Sequence, residues 1–486
     1  MTHWIIAPVV LPALLAALMV IALRRDLRLQ RIASVAGVVA LNAIAIALMW
    51  SATRHGPEAY FLGNWPAPFG ITLVLDRLSA LMVLLLTGLA LPIILYAIGS
   101  GWDAKGAHFH PLLQFLLMGI AGAFLTGDAF NLFVFFEVLL IASYGLMIHG
   151  GGQARTRAGI QYIAFNLVGS SLFLVALATV YSVTGTLNMA DLAVKLPNLP
   201  AGDTALIRVA AVLLMLVFAI KGALVPLQFW LPGTYAKAPG VVAAMFAVMT
   251  KVGAYSMIRF GTLIFPTTLP ATGPLIADLL LPAALITLAV GAIGILGATT
   301  LPRLVAFGAI ASMGTAFIAI TGFTPQTTSA ALYYILHSTI ATAAMFLVAD
   351  RITRHPGPQP GLTASLYMAG AIAIAGMPPL SGFIGKLLIL QALRDQAPLI
   401  WTAILISSFL MILGLARAGS TLFWKPESTP AAHPEPLPTT AIFLLFAALA
   451  ALTVLAGPVT SWLDATAQTL YDPAPYIAAN QLYEGR

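Results

Sequence analysis

Residues 131–141 read Asn131-Leu-Phe-Val-Phe-Phe-Glu-Val-Leu-Leu-Ile141, one carboxylate set in an apolar run. As a helix this stretch has no polar face to turn towards water, so it belongs either to the interior of a large protein or to a membrane. The apolar run that contains it extends over 129–149, close to the roughly 20 residues needed to cross a bilayer core. Comparable runs recur from one end of the chain to the other. Of the 486 residues, 60% are hydrophobic and 8% are charged, whereas soluble domains carry about 25% charged residues. Too few polar side chains are present to cover a water-facing surface. The solvent for most of this chain is lipid, and Glu137 sits where lipid should be.

Fourteen apolar runs can be counted, among them 4–23, 206–230, 363–393 and 439–462. The first, from Trp4 to Leu23, is too long for a signal-peptide core and has no basic region before it, so it reads as a retained span. With the N-terminus outside, the inner loops collect Arg24, Arg25, Arg28, Arg31, Lys105, Arg155, Arg157, Lys237, Arg303, Arg351, Arg354 and Lys425. The outer loops and tail collect only Arg54, Lys195 and Arg486. Basic residues concentrate in cytoplasmic loops, so the reading is an all-α polytopic membrane protein of about 14 transmembrane helices with both termini outside. The net charge of +7 is a topology signal, with no nucleic-acid partner implied. No polar stretch is long enough for a soluble core, and the Pro-rich segment 425–438 reads as an extended connector. The chain has no Cys, which excludes disulfides, Fe–S clusters and Cys-ligated zinc. No Walker loop, dinucleotide fingerprint or zinc signature is present. No cofactor and no metal are expected, and an ATP-driven pump or a cofactor enzyme is disfavoured.

Four charges lie deep in apolar runs on four different helices: Glu137, Lys221, Lys251 and Lys386. A charge at the centre of a membrane helix costs roughly 2.5–3.5 kcal/mol on insertion scales, so such residues face inwards, find partners and mark ion paths. One Glu cannot neutralise three Lys. Burial lowers a lysine's pKa and a neighbouring carboxylate raises it, so changing charge pairs would pass protons along such a set without a cofactor. Helix breakers flank two of the lysines. Pro226 follows Lys221 by five residues, and Gly376-Met-Pro-Pro-Leu-Ser-Gly-Phe-Ile-Gly, with Pro378 and Pro379, precedes Lys386. Each Pro leaves a carbonyl unpaired, tolerable in a membrane only where it lines protein or water. Broken helices of this kind point to an ion path in transporters, and plain packing kinks are the other reading.

These residues resemble a known family. The stretch ending Phe-Phe-Glu137, the run from Lys221 to Pro232 ending Phe-Trp-Leu-Pro, Thr250-Lys-Val-Gly-Ala-Tyr-Ser-Met-Ile-Arg259, and Gly376 to Lys386 look like the antiporter-like subunits shared by respiratory complex I and the Mrp cation/proton antiporters. The likeness is greatest to the D-type subunit of the Mrp (Mnh or Pha) antiporters and covers nearly the whole chain. It implies two inverted five-helix repeats at roughly 111–265 and 276–418, preceded by helices 1–3 (1–110) and followed by a last helix (439–462) and a tail (463–486). It implies discontinuous helices at Lys221 and Lys386. It also implies roles: Glu137 with Lys221 as the gating charge pair, Lys251 as the central relay and Lys386 as the terminal site. The sequence departs from the family in places. Gln228 and Gly233 stand where many members have His and Asp, and Thr342 where many have Lys. Gln228, Thr342, Ser338 and His337 become candidates to line relay water, with His337 open either to the relay or to a plain interhelical hydrogen bond.

The function expected is a proton-translocating subunit of a multisubunit monovalent cation (Na+, Li+ or K+)/proton antiporter in a bacterial inner membrane. Its partners are the other subunits of a Mrp-type complex, and it is a secondary transporter subunit rather than an enzyme. Three buried Lys and no second deep carboxylate make a poor Na+ site, so protons are expected to move here and the cation through a partner. Two alternatives stand beside it: the same relay in a redox-driven complex (complex I or a membrane-bound hydrogenase), and a scaffold in which the charges only clamp helices. Asp76-Arg77 reads as a local interfacial pair or a snorkelling Arg. Trp4, Trp50, Trp65, Trp401 and Trp462 read as belt residues.

Overall fold

The structure, a computed structural model, describes residues 2–355, 359, 361–424 and 435–482. Its helices in chain order are α1 (Ala7–Ile21), α2 (Leu27–His55), α3 (Arg77–Ser100), α4 (Phe109–Leu125), α5 (Ala129–Met147), α6 (Gln153–Thr184), α7 (Met189–Lys195), α8 (Thr204–Lys221), α9 (Trp230–Lys237) and α10 (Gly240–Arg259). There follow α11 (Leu275–Gly297), α12 (Leu301–Ile320), α13 (Pro325–Arg354), α14 (Gly361–Ala375), α15 (Ser381–Ala392), α16 (Ala397–Trp424), α17 (Pro436–Val454), α18 (Ala456–Leu470) and α19 (Ala474–Ala479). Among the described residues, eleven helices are long and apolar enough to cross a membrane, and α1, α4, α14 and α15 are shorter apolar helices.

Polarity is arranged for lipid. The most apolar window of α10 is wholly buried and that of α13 is 94% buried, whereas those of α2 and α17 are 33% buried. Outer helices present Ile46, Ile141 and Leu167 to the surroundings, which only an apolar solvent tolerates in such number. Lipid gives helices no hydrophobic reason to associate, so close packing of small residues does the work. A Cβ on Gly291 of α11 would lie 2.4 Å from the backbone nitrogen of Ala311, and one on Gly119 of α4 would lie 2.7 Å from that of Leu139.

The connections gather at two opposite ends, as alternating spans require. At one end β1 (Glu58–Phe61) pairs antiparallel with β2 (Thr72–Leu75) in the register Glu58 to Leu75, Leu73 and Asp128 bridge to Thr126 and Asn188, and Thr72 Oγ1 donates to Asn480 Oδ1 at 3.1 Å. At the other, Arg31 Nε is 2.6 Å from Asp103, Trp102 Nε1 donates to Asp350 at 3.0 Å and Arg354 pairs with Glu435 at 2.9 Å.

The two discontinuous helices expected at Lys221 and Lys386 are present: within the run 206–230, α8 stops at Lys221 and α9 begins at Trp230, and the run 363–393 divides between Ala375 and Ser381, because Gly376, Pro378 and Pro379 interrupt the ladder. Other expectations are corrected. The last run ends at Val454 and a new helix, α18, covers 456–470, so much of the tail is helical. The stretch 53–71 carries a strand that hydropathy did not signal. Arg351, counted as a loop charge, lies in α13 and is buried. Asp76 does not pair with Arg77. It caps α3 through Ser79 and pairs with Arg259 at 2.6 Å, while Arg77 donates to the carbonyl of Thr53 and lies over the Trp462 ring. Lys425, Arg486 and most of the Pro-rich segment 425–438 lie outside the described residues.

The Arg31–Asp103–His110 cluster ties α2 to the start of α4. Burial pushes the Asp103 carboxyl up, but the hydrogen bonds from His110 and Arg31 outweigh it and hold the group below the ordinary carboxylate range. A carboxyl whose folded pKa is depressed contributes stability above its unfolded value of about 3.9 and loses it as pH falls through the folded value. The melting temperature of the detergent-solubilised protein should therefore drop below about pH 4, and Asp103→Asn should lower it at neutral pH while flattening that acid limb. An unchanged acid limb in the variant would refute the assignment.

Candidate functional site

Each of the four charges, three buried lysines and the half-buried Glu137, is placed by a helix and partnered by a different device. Glu137 projects from α5 and accepts a hydrogen bond from Ser170 of α6. One turn earlier on α6, Asn166 Oδ1 accepts from Lys221 Nζ at 2.9 Å, and Asn166 and Ser170 stand on one face by their four-residue spacing. Glu137 and Lys221 are therefore joined through α6 rather than by direct contact. Lys221 Nζ also lies 5.7 Å from the centre of the Phe136 ring, the residue beside Glu137.

Lys221 is the last residue of α8, and the chain then loses helical form up to Phe229. Two neighbours satisfy the broken backbone: Thr287 Oγ1 accepts from the backbone N–H of Val225 at 2.8 Å, and Trp230 Nε1 donates to the carbonyl of Ile220 at 3.2 Å. Gly253 of α10 lets this break approach. A Cβ there would sit 2.6 Å from the carbonyl oxygen of Phe218 and 2.7 Å from the nitrogen of Gly222. Two residues earlier on the same helix, Lys251 is 2% exposed. Its Nζ meets Met313 Sδ of α12 at 2.9 Å, and a thioether is a weak acceptor for a group with three donors.

The second break uses its own freed carbonyls. α14 ends at Ala375, and Gly376 follows with a φ of +74°, in the left-handed region. Lys386 of α15 reaches back over Gly376 to donate to the carbonyl of Ala375 and to Ser408 Oγ, both at 2.7 Å. His337 of α13 joins the same end: its Nε2 is 3.1 Å from the carbonyl of Ala373, which also accepts from the backbone N–H of Gly376, and its Nδ1 is 2.9 Å from Ser381 Oγ. A carbonyl only accepts, so the neutral ring carries its proton on Nε2 and leaves Nδ1 to accept from Ser381. His337 lies within electrostatic reach of both Lys251 and Lys386.

The other sequence candidates are placed elsewhere. Gln228 lines a cavity of about 490 Å³ with Lys237, Thr300 and Arg303, where its Oε1 is buried without a partner. Ser338 donates to the carbonyl of Ile335, and Thr342 is buried in α13. Neither Gln228, Ser338 nor Thr342 makes the hydrogen bonds described for the three lysines. Pro226, Pro378 and Pro379 stand at the two breaks. Sequence reading missed Asn166, Ser170, Met313, Ser381 and Ser408. The first two left a signal, a polar pair four residues apart in an apolar run, and the methionine and the serines left none. It also missed Arg259, which is 3% exposed and pairs with Asp76.

A multi-pass helical membrane protein with a half-buried carboxylate and three buried ammonium groups inside its apolar helices, two of them beside broken helices, is a secondary-transport type of architecture. Residues 126–414 match the family described as NADH:quinone oxidoreductase/Mrp antiporter, TM. The D-type subunit of the Na(+)/H(+) antiporter of Bacillus subtilis (strain 168) is 37% identical over 504 residues, covering 99% of this chain and 99% of that protein. A protein of Rhizobium meliloti (strain 1021), named as the D-type subunit of a probable K(+)/H(+) antiporter, is 36% identical over 518 residues, covering 97% and 96%. A chain in the structure of the Mrp complex from Dietzia sp. DQ12-45-1b superposes with a TM-score of 0.90 at 27% identity, covering 99% of this chain and all of that one. The chain belongs to the NADH:quinone oxidoreductase/Mrp antiporter family of membrane subunits.

The approach of α10 to the first break is testable without transport. Gly253→Leu would drive a side chain into the backbone at Phe218 and Gly222, so the amount of intact protein recovered in detergent should fall several-fold against wild type. Gly233→Leu, at a position with open space beside it, should not change recovery. Equal recovery of both variants would contradict the packing described.

Proposed function

We propose that this chain is the proton-translocating subunit of a multisubunit monovalent cation/proton antiporter, with Glu137, Lys221, Lys251 and Lys386 as its relay. The observation that carries the reading is Lys251. Its ammonium group is enclosed on the most buried helix with a thioether as its hydrogen-bond partner, a position that holds a charge only if water or a proton transfer relieves it. The names of the relatives, D-type subunits of Na(+)/H(+) and K(+)/H(+) antiporters, support the same reading. The other subunits of such a complex are then the partners, and the protein is a transporter component with no reaction of its own. The relay runs from Glu137 and Lys221, bridged by Asn166 and Ser170, through Lys251 and His337 to Lys386. Pro226, Pro378 and Pro379 open the helices so that free carbonyls face it. Gln228, Ser338 and Thr342 contribute at most through water. With one deep carboxylate the relay is a poor Na+ site, so the cation passes through a partner subunit. The redox-driven alternative shares this relay, since the family includes NADH:quinone oxidoreductase subunits, and it is separated by which subunits co-purify.

The same reading places residues 111–265 and 276–418 as two inverted repeats in a bacterial inner membrane, with both termini on the outer side. A chain without cysteine is suited to testing the sidedness. Asn198→Cys should react with an impermeant maleimide added to whole cells or spheroplasts, and Arg157→Cys only in everted vesicles. The reverse pattern would invert the topology.

For the relay itself, Lys221→Ala and Glu137→Ala should each abolish sodium-dependent proton flux in everted vesicles carrying the whole complex, with the complex intact on a native gel. Normal flux in both variants would sink the relay, and loss of the assembled complex in both would favour a scaffold.

A further inference from the structure

The Arg259–Asp76 pair takes no part in the contacts of the three lysines, yet it stands in line with one of them. Lys251, Tyr255 and Arg259 follow at four-residue spacing on α10, so they share one face. Arg259 is about 12 Å beyond Lys251 along the helix axis. It is 3% exposed, and its two terminal nitrogens grip both oxygens of Asp76 at 2.6 and 2.8 Å. Its Nε is buried without a partner. Tyr255 between them donates to the carbonyl of Phe124 at 2.6 Å. Beside the pair lies a cavity of about 210 Å³ lined by Asp76, Arg77, Arg259, Asp472 and Tyr476. The tail closes over it, with the Tyr476 ring centre 5.1 Å from the guanidinium carbon. This end of the molecule is the one that the basic-loop count assigns to the outside.

A guanidinium keeps its charge at every pH a cell meets, so it can neither take up nor give up a proton. Asp76, held by both ends of the fork, compensates that charge and is itself occupied. We propose that the Arg259–Asp76 pair is the outer seal of the proton relay, an immobile, non-titrating ion pair between Lys251 and the outer cavity. The proposal rests on the relay reading and adds to it that protons do not leave Lys251 along α10. Energy stored across the membrane is thereby kept from leaking through the subunit's own buried face.

The test measures passive decay of an imposed pH gradient in vesicles carrying the whole complex, in choline medium without an exchangeable cation. Arg259→Gln should speed the decay several-fold, and Arg259→Lys, which keeps the charge, should not. Because Arg259→Gln leaves a buried carboxylate alone and can fail to assemble, the double variant Asp76→Asn/Arg259→Gln is measured beside it. Adding Lys251→Ala to the double variant should return the decay to the wild-type rate. Wild-type decay in an assembled Arg259→Gln or double variant would overturn the proposal, as would a leak that survives Lys251→Ala. Sodium-driven exchange by the single variant Lys251→Ala in the same vesicles tests the relay reading separately: if that exchange is lost while the Arg259 variants do not leak, only the seal is refuted.

Discussion

An ammonium group in a dry protein interior must find oxygen or lose its proton, and that constraint organises this molecule. Three lysines stand on buried parts of α8, α10 and α15, and the chain satisfies them in three ways. Lys221 uses a side-chain amide from α6. Lys386 uses a carbonyl that a helix break sets free, together with a serine. Among the described residues, Lys251 has only a sulfur. The breaks follow from this constraint as much as from proline chemistry. A continuous helix has no carbonyl to spare, whereas one interrupted at Gly376 to Leu380 leaves Ala375 to Lys386 and lets His337 share Ala373 with the backbone of Gly376. Opening the ladder costs backbone hydrogen bonds, and the buried cations give part of that back.

The same constraint explains how closely the helices around the breaks approach. At Gly253 the backbone of α10 runs against the end of α8, which brings the helix of Lys251 beside Lys221. At Gly376 the left-handed turn lets the aliphatic stem of Lys386 lie against the backbone, where a Cβ would be 2.7 Å from its Cδ. Outside this centre the demands are looser. The peripheral helices face lipid with large apolar side chains and need only shape and small residues to pack. Charged clusters hold the two ends, where loops meet water.

Much of this was legible beforehand because lipid leaves a strong mark on sequence. Long apolar runs announced the helices, and Glu137, Lys221, Lys251 and Lys386 stood out because each violates its surroundings. Pro226, Pro378 and Pro379 announced the breaks. Less could be read where the residues are ordinary for their place. Arg259 ends a helix, a position where an arginine attracts no notice, and only the fold shows that Asp76 meets it. Strands β1 and β2 are four residues each, too short for periodicity to separate them from a loop. Gln228 was placed by its motif, and the turn between α8 and α9 carries it to a separate cavity beside Lys237 and Arg303. Met313, Ser381 and Ser408 become partners only by long-range packing, which no spacing along the chain encodes.

The central claim is that the buried lysines are linked by exchangeable partners across the interior, with water completing the path where side chains do not reach. A cryo-electron microscopy map of the assembled complex at a resolution that shows ordered water tests it most directly. The account predicts a chain of water density from Glu137 and Lys221 past Lys251 and His337 to Lys386, with at least one water on Lys251 Nζ. A dry apolar gap between Lys251 and His337, with Lys251 held by Met313 alone, would contradict it.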